Sequence, residues 1–269
     1  MELNNNLYQE LVDSFGVSQN DILLISSDIT NLAKHFKSSG EAFNVNTFID
    51  TLQESMPSGT IIIPAYTDNL RNGDVFDYKK SKPTTGALSN RIGRRKDFTR
   101  TFDPIHSVYV WGSHKEEILG LSDETAFGEK SIFGFLAKEN TKFVFIDVDL
   151  QNSFTFVHYL EQKENVSYRK FYPLEIQIKN EDIVAPKLIQ FHTKKIGVST
   201  NLYPLQKFLL DNKFLLEKEV CGARIQLSSA DAMTNGVKAC QNKGIKLYKF
   251  EIGLAAKQIV KRILGKNYF

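Results

Sequence analysis

The sequence predicts an α/β protein: a central mixed, largely parallel sheet flanked by helices, with a small antiparallel β subdomain in the C-terminal half. Three observations carry that prediction. Short apolar runs, DILLIS (21–26), GTIIIPAYT (59–67) and KFVFIDVD (142–149), are interleaved with segments of helical period. Each run is apolar almost throughout, as strands covered on both faces are. From about residue 165 the pattern changes to alternation of apolar and polar residues, the mark of antiparallel strands with one wet face. Residues 1–164 therefore form an α/β region, and 165–269 add antiparallel strands and closing helices, packed as part of one compact domain.

The elements follow in order. LYQELVDSF has helical spacing and stops at Gly16, and DILLIS is the first buried strand. DITNLAKHFKSSG returns to helical spacing with Asp28 as N-cap, because a short acceptor side chain satisfies an otherwise orphaned amide. NVNTFIDTLQESM is a further helix and GTIIIPAYT a second buried strand. Residues 68–83 are polar and read as a long loop, which inside a compact domain is often functional. TGALSNRIGRRK reads as a helix capped by Thr84 or Thr85, HSVYVWG as a strand, HKEEILGL and SIFGFLAKEN as helices, and KFVFIDVD as a strand. VSYRKFYPLEIQIKN and KLIQFHTKKI alternate as antiparallel strands. Helices return in YPLQKFLLDNKFLLE, in SSADAMTNGVKACQN behind a serine cap, and in AAKQIVKRILG. The basic stretch KQIVKRILGK reads as a solvated helix face.

Composition narrows the function classes. The chain has 269 residues, ample for a real core, and a formal charge of +3. That charge is too small for a general nucleic-acid binder and counts against a protein built to hold polycations, which needs spare carboxylates. The two cysteines, Cys221 and Cys240, show no metal or redox spacing and suit a reducing compartment. No basic-plus-apolar leader and no apolar run of about 20 residues is present, so a cytoplasmic protein without a membrane span is expected. Oligomeric state is left open, a homo-oligomer included.

Common signatures fail one by one. No GxGxxG follows a strand, and no GxSxG elbow is present. FGEKS (127–131) resembles the end of a phosphate-binding loop, but a glutamate interrupts it and the upstream glycine is missing. The five histidines show no metal-binding spacing, so no metal is expected.

Candidate chemistry sits at strand ends, where open α/β sheets place ligands. Ser26, Ser27 and Asp28 end the first strand before a helix; Tyr66, Thr67 and Asp68 end the second; Asp147 and Asp149 end the last. His106 stands apart from the other histidines, with Asp103 three residues before it and Pro104 restricting the chain between them. A carboxylate beside an imidazole fixes its tautomer, as a general base requires. The local pattern leaves His106 open between that role and a polar residue closing a turn.

Taken in order, these segments resemble the aminoglycoside N3-acetyltransferase family of antibiotic N-acetyltransferases. GVSQNDILLISSDI is similar to that family's early strand-and-serine segment and GTIIIPAYT to its next strand. FDYKKSKPTTGALSNRIGRRKDFTRTFDPIHSVYVWG resembles the central block, where FD, GALS and P-x-HSV recur. FGEKSIFGFL, the T-x-x-H-x-x-E pattern of TFVHYLE (155–161), YRKFYP and GARIQLSSADAM resemble later landmarks. The resemblance covers most of the chain. It implies acyl transfer from an acyl-coenzyme A thioester, the co-substrate, to an amine, with residues 1–164 as the acyl-CoA-binding and catalytic region. His106 would be the general base, with Asp103 beside it. Ser26, Ser27, Thr67 and Ser107 would line the coenzyme A channel, and backbone N–H groups near those turns would stabilise the oxyanion. Tyr66, Asn90, His158 and Glu161 would lie near the acceptor.

Departures from the family pattern bear on the acceptor. Ser26 stands where the family has a histidine, Asp28 where it has a serine, and Asn90 where it has a glutamate after GALS. A lost carboxylate beside NRIGRRK favours an anionic acceptor. The expected function is therefore N-acylation of a nucleotide-linked amino sugar, as in surface-polysaccharide biosynthesis. The alternative is an aminoglycoside 3-N-acetyltransferase conferring antibiotic resistance. From other classes come a non-catalytic coenzyme A-binding protein and a thioesterase, in which water replaces the amine. No nucleic-acid or membrane partner is expected.

Overall fold

The computed structural model describes residues 2–263. The chain opens with α1 (Glu2–Asp13), β1 (Ile22–Ser27), α2 (Thr30–Ser38), α3 (Val45–Ser55) and β2 (Thr60–Pro64). Then come β3 (Val75–Asp77), α4 (Ala87–Ile92), β4 (Thr99–Arg100), β5 (Val108–Gly112), α5 (Lys115–Leu119), α6 (Ile132–Lys138) and β6 (Lys142–Ile146). The C-terminal half comprises α7 (Leu150–Ser153), α8 (Phe156–Lys163), β7 (Arg169–Asn180), β8 (Ile183–Lys194), β9 (Val198–Thr200), α9 (Tyr203–Asp211), β10 (Leu216–Val220), β11 (Ala223–Ser229), α10 (Ala230–Asn242), β12 (Tyr248–Phe250) and α11 (Ile252–Ile263).

A seven-stranded sheet runs β10-β11-β6-β1-β2-β5-β4. Its centre is parallel, β6 with β1 and β1 with β2, and antiparallel pairs extend it on both sides. The apolar runs are continuous because alternate residues enter two separate cores. Leu24, Ile62, Phe143 and Phe145 face one core with α5, α6, α8, α9 and α10. Leu23, Ile25, Ile61, Ile63 and Val144 face the other with α1, α2, α3 and α4. A second sheet, β3-β7-β8, turns Leu174, Ile176 and Ile189 into the first core, and β9 pairs with β12.

Local chemistry explains most boundaries. Asp28 Oδ1 accepts from the Thr30 amide at 2.9 Å, and Asn44, Ser131 and Ser229 cap α3, α6 and α10. The cap of α4 is Gly86, not Thr84 or Thr85, whose hydroxyls donate to the Tyr66 and Pro64 carbonyls at 3.1 and 2.7 Å. The expected loop 68–83 contains β3, whose single inward residue, Phe76, is fully buried. The helix read through 203–217 ends at Asp211. Lys213 takes a φ of 60°, and β10 follows as an edge strand carrying exposed Glu217, Lys218 and Glu219. A two-residue turn, Cys221 at φ 51° and Gly222 at φ 67°, returns the chain as β11 beside β6. The sheet thus takes strands from both sides of residue 164. The basic C-terminal stretch is helical to Ile263; its last residues lie outside those described.

One buried side chain ties the sheet's end to the loops above it. Arg100 is 6% exposed. Its Nε donates to Ser107 Oγ at 3.0 Å, its Nη2 to the Ala65 carbonyl at 2.8 Å and Thr67 Oγ1 at 3.1 Å, and its Nη1 to the Ser81 carbonyl. The Phe76 ring centroid lies 5.0 Å from the guanidinium carbon. Removing these donors leaves the buried Thr67 hydroxyl and the Ser81 carbonyl without them, while Ser107 Oγ and the Ala65 carbonyl keep only their mutual bond at 2.7 Å. Arg100→Ala is expected to lower unfolding free energy by at least about 3 kcal/mol in urea titration. Arg100→Lys should recover little of it, since an ammonium cannot match the fork geometry. A loss under about 1 kcal/mol would contradict this role.

Candidate active site

At the carboxyl ends of the parallel strands β1 and β2 lies a cleft of about 390 Å³, within the range of small-molecule sites. Ser26, Ser27, Asp28, Tyr66, Asp68, Thr84, Thr85, Gly86 and Thr155 supply its polar wall; Ile25, Ile63, Pro64, Leu88 and Val148 supply its apolar one. Gly86 takes a φ of 97°, which a side chain resists, and this conformation starts α4 against the Ser27 carbonyl. The lining includes two carboxylates and no lysine or arginine. The Thr30 hydroxyl and amide hold the Asp28 carboxyl below its usual range, whereas enclosure by the cleft walls raises that of Asp68.

Tyr66 and His106 stand between this cleft and a second cavity. Their rings meet edge to face at 5.2 Å, Tyr66 lining the cleft and His106 the cavity. That cavity measures about 230 Å³, with Asp103, Ser122, Asp123, Lys130 and Lys187 among its lining residues. His106 is 5% exposed and caged by Phe127, Phe133 and Phe191. Burial lowers its pKa, opposed by the Asp103 and Asp68 charges, and the ring is neutral at physiological pH.

The expected pairing of Asp103 with this ring does not occur. Asp103 Oδ1 accepts from the backbone amides of Ile105 and His106 at 2.8 and 2.6 Å, so it closes the turn that Pro104 begins. His106 Nδ1 is buried without a hydrogen-bond partner.

A carboxylate-held imidazole is present one aromatic ring away. Phe127 lies 4.8 Å from His106 and 5.5 Å from His158. His158 and Glu161, three residues apart on α8, share a face of the helix. His158 Nδ1 is 2.7 Å from Glu161 Oε2, and the Tyr168 hydroxyl donates to Glu161 Oε1 at 2.7 Å. Arg169 Nε sits 2.6 Å from Oε2, off the N–H axis, as an ion pair rather than a hydrogen bond. Burial alone would raise the Glu161 carboxyl; His158, Arg169 and Tyr168 outweigh it and hold it at about 2. Arg169 Nη2 also lies 2.7 Å from His158 Nδ1, and one nitrogen cannot donate to Glu161 and accept from Arg169 together. The ionised carboxylate is the stronger partner for a proton-bearing Nδ1, which leaves Nε2, with Arg169 Nη2 3.3 Å away, as the basic nitrogen. The His158 side chain keeps 21% of its exposure while Glu161 has 1%.

The sequence-predicted residues therefore separate. Ser26, Ser27 and Tyr66 line the cleft. Thr67 and Ser107 do not; both are buried partners of Arg100. Asn90 is exposed on α4, outside the cleft lining, its amide returned to the Gly86 carbonyl at 2.8 Å. Arg95 is tied to Asp50 and Asp97 at 2.7 and 2.8 Å, and Arg94 faces solvent after α4 has ended. Glu161 lies buried against His158 rather than open to the cleft. Four of the backbone amides near those turns are already spent: Asp28 on Ile146, Ala65 on Ser107, Thr67 on Ile105 and Thr84 on Tyr66, all to carbonyls. Sequence reasoning missed Arg100, Thr155, Tyr168, Arg169 and His192. Thr155 carried a signal as the first residue of the T-x-x-H-x-x-E pattern, and Tyr168 and Arg169 as the first two residues of YRKFYP. Among the described residues no group of three or more His, Cys, Asp or Glu is placed to hold a metal, and no helix is long and apolar enough to cross a membrane.

The network is acid-labile. His192, 1% exposed and beside Arg169, is pushed down to about 4, chiefly by burial. As pH falls from about 6.5 the unfolded chain protonates this imidazole while the fold refuses the proton until about pH 4. Glu161 acts with the same sign lower down, between about 4.5 and about 2. Chemical-denaturation stability should thus decline on acidification through both windows. His192→Gln, which takes up no proton, should flatten the upper one; equal slopes in both proteins would contradict the assignment.

Comparison with solved structures supports the fold. AAC-IIIb, solved as a binary complex with CoASH, aligns with a TM-score of 0.73 at 15% identity, covering 92% of this chain and 97% of that one. YokD from Bacillus subtilis aligns with a TM-score of 0.72 at 17% identity, over 87% and 97% of the two chains. AAC-VIa bound to sisomicin gives 0.71 at 16% identity, over 88% and 96%. No curated protein matches by sequence. Residues 29–241 match the family described as aminoglycoside 3-N-acetyltransferase. The chain belongs to that family and is a coenzyme A-dependent N-acyltransferase, with acyl-CoA as its co-substrate.

Proposed function

We propose that this enzyme acetylates an amine of a cationic amino sugar, the 3-amine of an aminoglycoside, with His158 as general base and Glu161 holding its tautomer. The observation that carries the base assignment is the 2.7 Å contact between His158 Nδ1 and Glu161 Oε2. Support for a cationic acceptor comes from the cleft, whose lining holds Asp28 and Asp68 and no lysine or arginine. A diphosphate-linked sugar would set its negative charges against those carboxylates, and the asparagine and arginines that favoured it lie elsewhere.

The thioester supplies an electrophilic carbonyl and a thiolate leaving group. The hydroxyl and apolar walls of the cleft suit the amide-and-alkyl arm of coenzyme A, and its lack of cations does not suit the phosphates. An amine attacks only when deprotonated, so His158 Nε2 takes its proton as the bond forms and returns it to the departing sulfur. Glu161, ionised and enclosed, stabilises the imidazolium in between.

The test is thiol release from acetyl-coenzyme A, with an aminoglycoside or a nucleotide-linked amino sugar as acceptor. Turnover with the aminoglycoside is expected; turnover only with the nucleotide sugar would overturn the acceptor assignment. His158→Ala should lower kcat by about 10²–10⁴-fold, and His106→Ala by less than about tenfold with coenzyme A binding kept. The reverse order would give the base role to His106. Asp68→Asn should raise KM for the amino sugar while leaving KM for acetyl-coenzyme A unchanged.

A further inference from the structure

The reaction proposed above leaves one charge without a partner. When the amine nitrogen bonds to the carbonyl carbon, the π electron pair moves onto the carbonyl oxygen, which needs a donor. The nearby amides of Asp28, Ala65, Thr67 and Thr84 are occupied by protein carbonyls. Asp28 and Asp68 offer acceptors. Tyr66 is the one phenol among the lining residues of the cleft, and Thr155, its neighbour there, sits at the N-cap of α8 one turn before His158.

We propose that the Tyr66 phenol donates a hydrogen bond to the thioester carbonyl oxygen as it becomes an oxyanion, with Thr155 holding the phenol in place. Three observations converge on this pair. Tyr66 is 7% exposed, so its ring is fixed by packing, edge-on to His106 at 5.2 Å and to Phe133 at 6.3 Å. Thr155 lines the cleft beside it, and its hydroxyl pulls the phenol's pKa down, as a donor to the phenol oxygen does. Burial first, then the Asp68 and Asp103 charges, move the phenol's pKa far above its usual range, so it remains a donor at every pH the enzyme meets. Thr155 and His158 on one helix end give donor and base a common frame. The step balances without another reactant: the nitrogen–carbon bond forms, the amine proton passes to His158, the oxyanion pair returns, and the carbon–sulfur bond breaks with the proton passing to sulfur.

This inference rests on the transferase reading and on His158 as base, so Tyr66→Phe, Thr155→Val and His158→Ala are assayed together with acetyl-coenzyme A and the aminoglycoside. Tyr66→Phe keeps the ring and its packing. Its kcat is expected to fall by about 10²-fold, with KM for acetyl-coenzyme A within about twofold of wild type. Thr155→Val is expected to lower kcat by about tenfold with the same KM, and it decides the matter if the phenylalanine variant fails to fold. A Tyr66→Phe kcat within about threefold of wild type, beside an inactive His158→Ala, would overturn the donor and leave the base standing. An active His158→Ala would overturn the base, and the Tyr66→Phe rate would still decide the donor. A loss in Tyr66→Phe that lay wholly in KM would also overturn it, because it would report ground-state binding alone.

Discussion

A buried guanidinium holds the end of the central sheet in the shape the site needs. Arg100, on the two-residue strand β4, bonds the Ala65 carbonyl, Thr67 and Ser107, the residues flanking Tyr66 and His106, and also grips the loop at Ser81. None of these contacts is with a carboxylate. The charge is satisfied by oriented carbonyls, hydroxyls and the faces of Phe76 and Tyr109, so it constrains geometry without an opposing charge. Tyr66 and Asp68 then project into the cleft while His106 faces the cavity behind it. Misplacing β2's last residues would move the Tyr66 phenol and the Asp68 carboxyl together.

Two histidines separated by one phenyl ring show how surroundings assign roles. His106 is enclosed by aromatic rings and lacks a carboxylate hydrogen bond, and in the reading proposed above it serves as wall. His158 is anchored through one nitrogen to an ionised carboxylate that Arg169 and Tyr168 also hold, and its side chain keeps 21% of its exposure. An imidazole can exchange protons with substrate only if one nitrogen is pinned and the other is reachable. The same low-dielectric surroundings keep the Tyr66 phenol protonated, so burial tunes base and donor in complementary directions.

Much of the fold was legible because the buried strands are apolar on both faces and the helices between them carry short polar caps. Ser229 marks a helix start in sequence and in structure, whereas Asp28, the expected cap of α2, sits one residue before the actual cap, Ile29, and bonds the Thr30 amide from there. The strands that escaped notice are those whose partners decide them. Phe76 alone identifies β3, and the charged edge strand β10 reads as a continuation of α9 until Lys213 adopts a positive φ. The site was legible where a motif keeps its members within one turn of helix, as His158 and Glu161 do. It was misread where sequence neighbours diverge in space: Asp103 turns to the backbone beside His106, Ser107 turns to Arg100, and Asn90 folds back on its own helix. Arg100 carries no sequence mark, and Arg169 only its place in YRKFYP, since an arginine is expected at the surface until its acceptors are known.

The acceptor charge shows the same limit. Counting acidic and basic residues along the chain pointed to an anionic substrate, yet the cleft gathers Asp28 and Asp68 while Arg95 is neutralised by Asp50 and Asp97. Everything catalytic in the account depends on which nitrogen of His158 carries the proton. The most direct measurement is ¹⁵N NMR of the His158 ring at neutral pH, with the signal assigned by its loss in His158→Gln. A protonated Nδ1 and a bare Nε2, with that preference lost in Glu161→Gln, is the expected result. A ring protonated at Nε2 alone, unmoved by the Glu161 substitution, would contradict the account.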